Sequence, residues 1–431
     1  MSASKRDELF AKLFSPEGKP SALEGIKVVE LSTSNLVGSM VGGLLRELGA
    51  DVIRVEPPEG DPLRDVSPYG ARLKGLGIPY LIENAGKKVV RLDLEREEDR
   101  GELRKLLTSC DVVIDALKPG LLDSMNLGYR SISNENPKVI YVAISPYGHF
   151  SKKAEEMSNV PDSDLTAQAY NGYPSLIGNP SIRPIPLRAG IWAAWAMAAI
   201  CAVTGALMAL YERLKSGKGQ FVDIATHEAL AAVHIYPIIA GFLFGRPRPQ
   251  YGFLDYLLYP FGVYKTKDGY ITIATPFDTD FRALLKLIKR WDLEPDWKYS
   301  IDRVTDDVDR IVELDREIRR ELMKYSSDDL IKKSLSRGLM PEALRRLVGR
   351  PVIVKSYTLK EALGEKHWYV RRSILRVKVD DKEVLVPNSP FRMSETPGRM
   401  PVERIFAQEV LTKEALVAMT SRRGEERISD S

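Results

Sequence analysis

The chain has 431 residues, 44% of them hydrophobic and 28% charged, enough for two domains and a large core. A formal net charge of +4 is small for this length and excludes the concentrated basic surface of a general nucleic-acid binder. Two cysteines, Cys110 and Cys201, and four scattered histidines form no metal-spaced group. No metal is expected, and the thiols read as free in a reducing cytosol.

Residues 1–22 read as a helical extension followed by a Pro/Gly/Ser linker, and the charged start lacks the apolar centre of a signal peptide. From Leu23 strands and helices alternate. Ile26 to Leu31 reads as a buried parallel strand, Ser32 to Gly38 as a loop of small residues, and Val41, Leu44, Leu45 and Leu48 recur at helical spacing. Gly49 stops that helix, and Asp51 to Glu56 forms a second strand. The loop thus lies at the carboxyl end of a strand, where open α/β sheets bind ligands. The amino terminus of the following helix offers free N–H groups to phosphates.

Further strands are expected at Lys88 to Leu92, Val112 to Asp115 and Val139 to Ser145, with a helix at Glu98 to Leu107. This alternation predicts an α/β fold with a mostly parallel, helix-covered sheet. Ala189 to Tyr211 carries no charged side chain and is long enough to span a bilayer. Its alanines and glycine favour a buried, closely packed helix, so no membrane partner is expected. A strand follows at Phe221 to Ile224.

Residues 245–250 read as a linker. A hairpin follows at Gly262 to Ala274, and charged helices occupy 278–348. The acidic run Asp302 to Asp309 lacks the glycine turn of a calcium loop and reads as a solvated helix face. Apolar strands return from Pro351, and the polar residues 421–431 read as a frayed tail. The expected division is an extension at 1–22, a large domain at 23–245, a smaller inserted α+β domain at 246–350, a return to the large domain at 351–420, and the tail.

Three candidate chemistries can be weighed on residues alone. The loop after the first strand is not Gly-x-Gly-x-x-Gly, so NAD is not expected; close helix–strand packing accounts for Gly42 and Gly43. In Pro161-Asp162-Ser163-Asp164, Asp164 reads as a cap for the helix that follows, and also as an acid at a pocket edge. His227 and Glu228 are adjacent on a helix and point apart, against a dyad. Neither a nucleophile elbow nor a Walker loop is present.

Ordered motifs then carry a resemblance. They are Leu23-Glu24-Gly25-Ile26-Lys27-Val28-Val29-Glu30-Leu31, Gly49-Ala50-Asp51-Val52-Ile53-Arg54-Val55-Glu56-Pro57-Pro58 and Gly60-Asp61-Pro62-Leu63-Arg64. Asn84-Ala85-Gly86-Lys87-Lys88, Lys118-Pro119-Gly120 and Gly217-Lys218-Gly219-Gln220 follow. Over about residues 23–400 the chain resembles the class III CoA-transferases, which include formyl-CoA transferase, carnitine CoA-transferase and α-methylacyl-CoA racemase.

The resemblance implies a Rossmann-like large domain built from both chain ends, an inserted smaller domain and an interlocked homodimer. It implies coenzyme A as an acyl-CoA substrate and transfer of CoA between carboxylic acids in the cytoplasm. By motif position Asn35, Leu36, Leu92, Ala116, Leu117 and Met125 would line the CoA groove, with Arg54, Arg64 and Lys87 near the phosphates. The family's nucleophilic aspartate attacks the thioester to give a mixed anhydride and then an enzyme–CoA thioester. Here that position is Trp195, and no Asp or Glu lies between Asp164 and Glu212. Asp164 is the remaining candidate catalytic acid. Its motif position is that of the racemase branch's proton-moving aspartate, preceded here by Ser163 in place of histidine. Two alternatives follow: an acyl-CoA racemase or epimerase, and a CoA-binding subunit without catalysis.

Overall fold

Along the strands successive buried side chains face opposite sides of the sheet. Val28, Val52, Ile114, Val142 and Ile144 face one apolar core, while Val29, Ile53, Val113, Tyr141 and Ala143 face another. A sheet apolar on both faces must be covered on both. The computed structural model does this, and it describes residues 3–179, 185–190, 192–245, 250, 252, 258–293, 308–338, 342, 349–379, 382–402, 409–412 and 415. The expected tail 421–431, linker residues 246–249 and acidic residues 302–307 lie outside these.

Seven parallel strands form the main sheet. In spatial order they are Glu409–Val410, Lys88–Arg91, Asp51–Glu56, Lys27–Leu31, Val112–Asp115, Ile140–Ser145 and Phe221–Ala225. The helices Leu36–Glu47 and Ala193–Ser216 cover one face, and Glu97–Ser109 covers the other. The chain builds outward from Lys27–Leu31 through Asp51–Glu56 to Lys88–Arg91, then returns to Val112–Asp115 on the opposite side. The order therefore reverses between Lys27–Leu31 and Val112–Asp115. Connections leaving in opposite directions open a crevice at the carboxyl ends of these two strands.

The Ala-rich helix, Ala193–Ser216, is long and apolar enough to cross a membrane by composition. Its Ala194, Ala198, Ala202, Ala206 and Ala209 form a buried stripe at helical spacing. Small side chains on that stripe let the helix lie close to the sheet, where the Cβ of an added methyl at Gly205 would stand 2.8 Å from Val222.

The described residues fall into two units. One takes them from 1–173, 188–239 and 366–431, the other from 174–187 and 240–365. The second unit has a three-stranded antiparallel sheet of Val352–Lys355, Tyr270–Ala274 and Phe261–Lys265, in that spatial order. Its core joins Ile271, Ile273 and Ile353 to Phe281, Leu284, Ile318 and Leu322. The return expected at Pro351 falls at Lys366. Val352–Lys355 does form a strand, but Ile353 fills the second unit's core and pairs opposite Ile273. Residues 366–402 then add a hairpin, Ile374–Val379 with Lys382–Pro387, to the first unit.

Candidate active site

The loop after Lys27–Leu31 sits at the crevice. Its helix begins at Leu36, earlier than the apolar spacing indicates, because Asn35 is the cap and its side-chain oxygen accepts from Gly38 N–H at 3.2 Å. Gly38 is needed there: a Cβ would meet Ser32 Cβ at 2.4 Å and Ala116 Cβ at 2.9 Å. On one side of the loop lies a groove of about 560 Å³, walled by Leu31, Thr33, Val55, Pro57, Leu92, Leu117, Leu121 and Met125 and lined also by Glu56, Glu59, Asp93 and Glu95. The structure thus brings Leu92, Leu117 and Met125 together. Leu36 is buried at 2% exposure and Ala116 at 4%, so these two support the loop from beneath.

The three expected phosphate cations do not face that groove. Arg54 is fully buried. It pairs with Glu30, with Asp61 and with Glu56 at 3.2 Å, and it donates to Ser39 Oγ at 2.9 Å. Lys87, 1% exposed, donates to Glu30 at 2.7 Å, Asn84 at 2.8 Å and the Ser39 carbonyl at 2.8 Å. Arg64, the most exposed of the three, pairs with Glu56 at 2.9 Å and lies over the Tyr80 ring at 4.6 Å. Three cations meet three carboxylates, Glu30, Glu56 and Asp61, so no spare positive charge is left for a phosphate. The mutual fields hold Glu30 below and Arg54 above their ordinary ranges, against burial, while burial pulls Lys87 down.

This network has a positional effect. Asp61, held by Arg54, accepts from the loop's Ser34 N–H at 3.2 Å and from Leu63 N–H at 2.8 Å. The buried charges thereby fix the course of Ser32 to Asn35 over the strand ends.

Asp164 is a cap, but not of the helix that follows it in sequence. Ser163 caps that helix, Asp164–Tyr170, accepting from Thr166 N–H at 3.4 Å. Asp164 turns to the Ala-rich helix instead. Its Oδ1 accepts from Ala194 N–H at 2.8 Å and Trp195 N–H at 3.2 Å, and its Oδ2 from Gln168 Nε2 at 2.6 Å. The residue is 4% exposed. Both oxygens are committed to structure, which removes the free carboxylate that a catalytic role for Asp164 requires.

The neighbouring acid differs. Asp162 is half-buried, and its Oδ2 accepts from Thr226 Oγ1 at 3.2 Å, at the end of the strand Phe221–Ala225. The carboxylate is also hydrogen-bonded by the Trp195 indole and the Asn35 side chain. Burial raises the Asp162 carboxyl to about 6, offset in part by Thr226 and by the nearby Trp195 indole and Asn35 amide. The sequence carried one signal for Asp162: two aspartates two residues apart cannot both cap the same helix end.

The other candidates are engaged elsewhere. His227 Nδ1 lies 2.8 Å from the Pro146 carbonyl, so it forms no dyad with Glu228. His149, read as a turn residue, pairs with Asp223 at 2.7 Å. It lines a larger cavity, about 930 Å³, with Asp115, Arg130 and Tyr141. There Tyr141 donates to Asp115 at 2.8 Å. The larger space touches neither the loop nor Asp162, and the chemistry is placed at the crevice.

A doubly wound sheet with a groove at its switch point defines an α/β protein with its ligand site at the carboxyl ends of the strands. The profile of CoA-transferase family III matches residues 23–404, and the chain belongs to that family. It is a CoA-transferase whose substrates are an acyl-CoA and a carboxylic acid. The chain is 31% identical to succinyl-CoA–D-citramalate CoA-transferase of Chloroflexus aurantiacus over 89% of its own length and 90% of the relative's. It is 36% identical to the BbsE subunit of succinyl-CoA:(R)-benzylsuccinate CoA-transferase of Thauera aromatica, over 45% of this chain and 47% of that one. Among solved structures, a CAIB/BAIF family protein from Brucella suis superposes with a TM-score of 0.73 at 26% identity, covering 94% of this chain and all of that one.

Proposed function

We propose that the chain takes CoA from succinyl-CoA and passes it to a second small dicarboxylic or hydroxydicarboxylic acid. The chain-long match to a relative named for succinyl-CoA carries this reading. The groove supports it: Leu92, Leu117 and Met125 give a pantetheine arm an apolar wall, and the Thr33–Asn35 loop leads from that wall to Asp162. Arg54, Arg64 and Lys87 act in this reading by bracing the loop rather than by meeting phosphates.

A racemase reading through Asp164 is not favoured, since both of its oxygens accept hydrogen bonds that hold a helix end. For the assembly we propose a homodimer. Met208, Tyr211 and Leu214 of the Ala-rich helix are 63%, 62% and 82% exposed, an apolar stretch suited to a second copy. A cytosolic setting is in keeping with two cysteines that are both free.

The test is direct. Purified chain is mixed with succinyl-CoA and each of a set of C4 and C5 acids, and CoA esters are read by mass spectrometry. A new ester formed in step with succinate release supports the reading. Hydrolysis alone, or no exchange with any acid, contradicts it. Light scattering of the pure chain tests the dimer, and a monomer would refute it.

A further inference from the structure

The cations beside the crevice are matched by carboxylates, whereas a second set at the opposite end of the sheet is not. We propose that the cavity holding this second set binds a nucleotide, with the phosphates on Arg371, Arg372 and Arg392 and the base against the rings of Phe10 and Phe14.

The cavity measures about 560 Å³ and lies within the first unit. Ser21 and Gly49 border it, and they precede the strands Lys27–Leu31 and Asp51–Glu56. These strands are parallel, so the cavity is at the amino end of the sheet and the crevice at its carboxyl end. The length of a strand, about 20 Å, separates the two. Five arginines line the cavity, Arg46, Arg371, Arg372, Arg392 and Arg399, and no Asp or Glu is among its described lining residues.

The contacts of these arginines orient them without cancelling their charge. Arg392 donates to the carbonyls of Arg371 at 3.2 Å, Arg372 at 3.1 Å and Ser389. Arg399 donates to the carbonyls of Pro16 at 2.8 Å and Lys19. Arg371 lies over the Phe10 ring at 5.0 Å. Glu47 acts on Arg392, although burial raises its own carboxyl. The carboxyl end of the helix Leu36–Glu47 adds about half a negative charge. Together they offset less than half of the positive charge around the cavity.

A purely structural role accounts for Arg392 and Arg399, which tie loops together. It does not explain why Arg371 and Arg372 are set beside Arg392, which burial and their like charges pull below its ordinary range. Nor does it explain why Arg372 is held at φ +52°, where glycine costs less. A phosphate placed among the three relieves their repulsion, and guanidinium forks match its oxygens in pairs. Phe10 and Phe14, with ring centroids 4.8 Å apart, give the base an aromatic wall.

The test is calorimetric titration of the full-length chain, without divalent ions, with ATP, pyrophosphate and adenosine. ATP should bind, pyrophosphate about tenfold more weakly, and adenosine not measurably. The double variant Arg371→Gln with Arg372→Gly should bind ATP at least about tenfold more weakly and hold succinyl-CoA as the parent does. Arg372→Gly alone should melt near the parent temperature, because glycine suits φ +52°, so its weaker ATP binding is not a loss of fold. Phe14→Leu should weaken ATP and leave pyrophosphate unchanged. A parent chain that binds no ATP overturns the inference. ATP binding that the double variant leaves unaltered overturns it equally, since the nucleotide then sits elsewhere. Pyrophosphate that binds as tightly as ATP overturns the contact with the rings. None of these readouts uses CoA transfer, so their failure leaves the CoA-transferase reading standing.

Discussion

Asp164 holds the backbone of Trp195: its Oδ1 accepts the Trp195 N–H at 3.2 Å and the Ala194 N–H at 2.8 Å. One aspartate thus fixes the start of the Ala-rich helix. The other, Asp162, accepts from Thr226 at 3.2 Å and is hydrogen-bonded by the Trp195 indole.

If Asp164 is structural, replacing it should be felt in stability. Asp164→Ala leaves the first N–H groups of a 24-residue helix uncapped. A loss of about 1–2 kcal/mol is expected, read as a lower denaturant midpoint with unchanged slope. Asp164→Asn keeps one acceptor oxygen and should lose less. Its transfer rate should stay within a few-fold of the parent's, whereas a catalytic Asp164 would lose orders of magnitude.

The buried network gives a larger effect. Arg54→Met removes the cation shared by Glu30, Glu56 and Asp61 and leaves buried carboxylates unpaired. Loss of one partner from such a set costs about 3–5 kcal/mol, so soluble yield and melting temperature should fall sharply. Arg64→Gln, at a partly exposed pair, should cost much less.

Gly42 is a steric prediction. A Cβ there would stand 1.9 Å from Glu30 Oε2 and 3.0 Å from Lys87 Nζ. Gly42→Ala should destabilise by roughly 1–3 kcal/mol, since neither charged group can move without losing its partner. Thermal melts of the variant beside Gly101→Ala, where a Cβ meets nothing within 4 Å, give the contrast.

The pH dependence follows from Asp162. Its carboxyl is raised to about 6. The Trp195 indole lowers the Asp162 value through its hydrogen bond, so Trp195→Phe should raise the pH at which Asp162 titrates. Stability depends on pH as well. Between about 4, where the unfolded aspartate titrates, and about 6, the native state binds a proton that the unfolded chain has lost. The Asp162 term therefore weakens the fold as pH rises through that window, and remains a constant penalty above it. Asp162→Asn should raise the melting temperature at pH 8 and give little gain at pH 4.

The sheet was legible because its strands are buried on both faces. Runs such as Val28-Val29 and Val112-Val113-Ile114 allow few readings, and the Gly49 stop and the turn at Gly217 set their spacing. The helix at Leu36 began early because a single side chain, Asn35, decides it, and apolar periodicity does not register caps. The second unit's limits were misplaced at Val352–Lys355 because a short apolar strand looks alike in either sheet, and only long-range pairing with Tyr270–Ala274 assigns it. At the site, Leu92, Leu117 and Met125 were found together, whereas Arg54 and Lys87 read as phosphate ligands. A cation's sequence position does not reveal that Glu30, Glu56 and Asp61 have already matched it. Asp164 read as the candidate catalytic acid, because the N–H groups that claim it lie about thirty residues later, at Ala194 and Trp195.

The central claim is CoA exchange between acids, and one assay tests it most directly. Succinyl-CoA and an acceptor acid are supplied to the pure protein in D₂O, and products are followed by mass spectrometry. The account predicts a new acyl-CoA, an equal release of succinate and no deuterium gained at the α-carbon. Exchange of the α-proton of an acyl-CoA without any change of acid would contradict it.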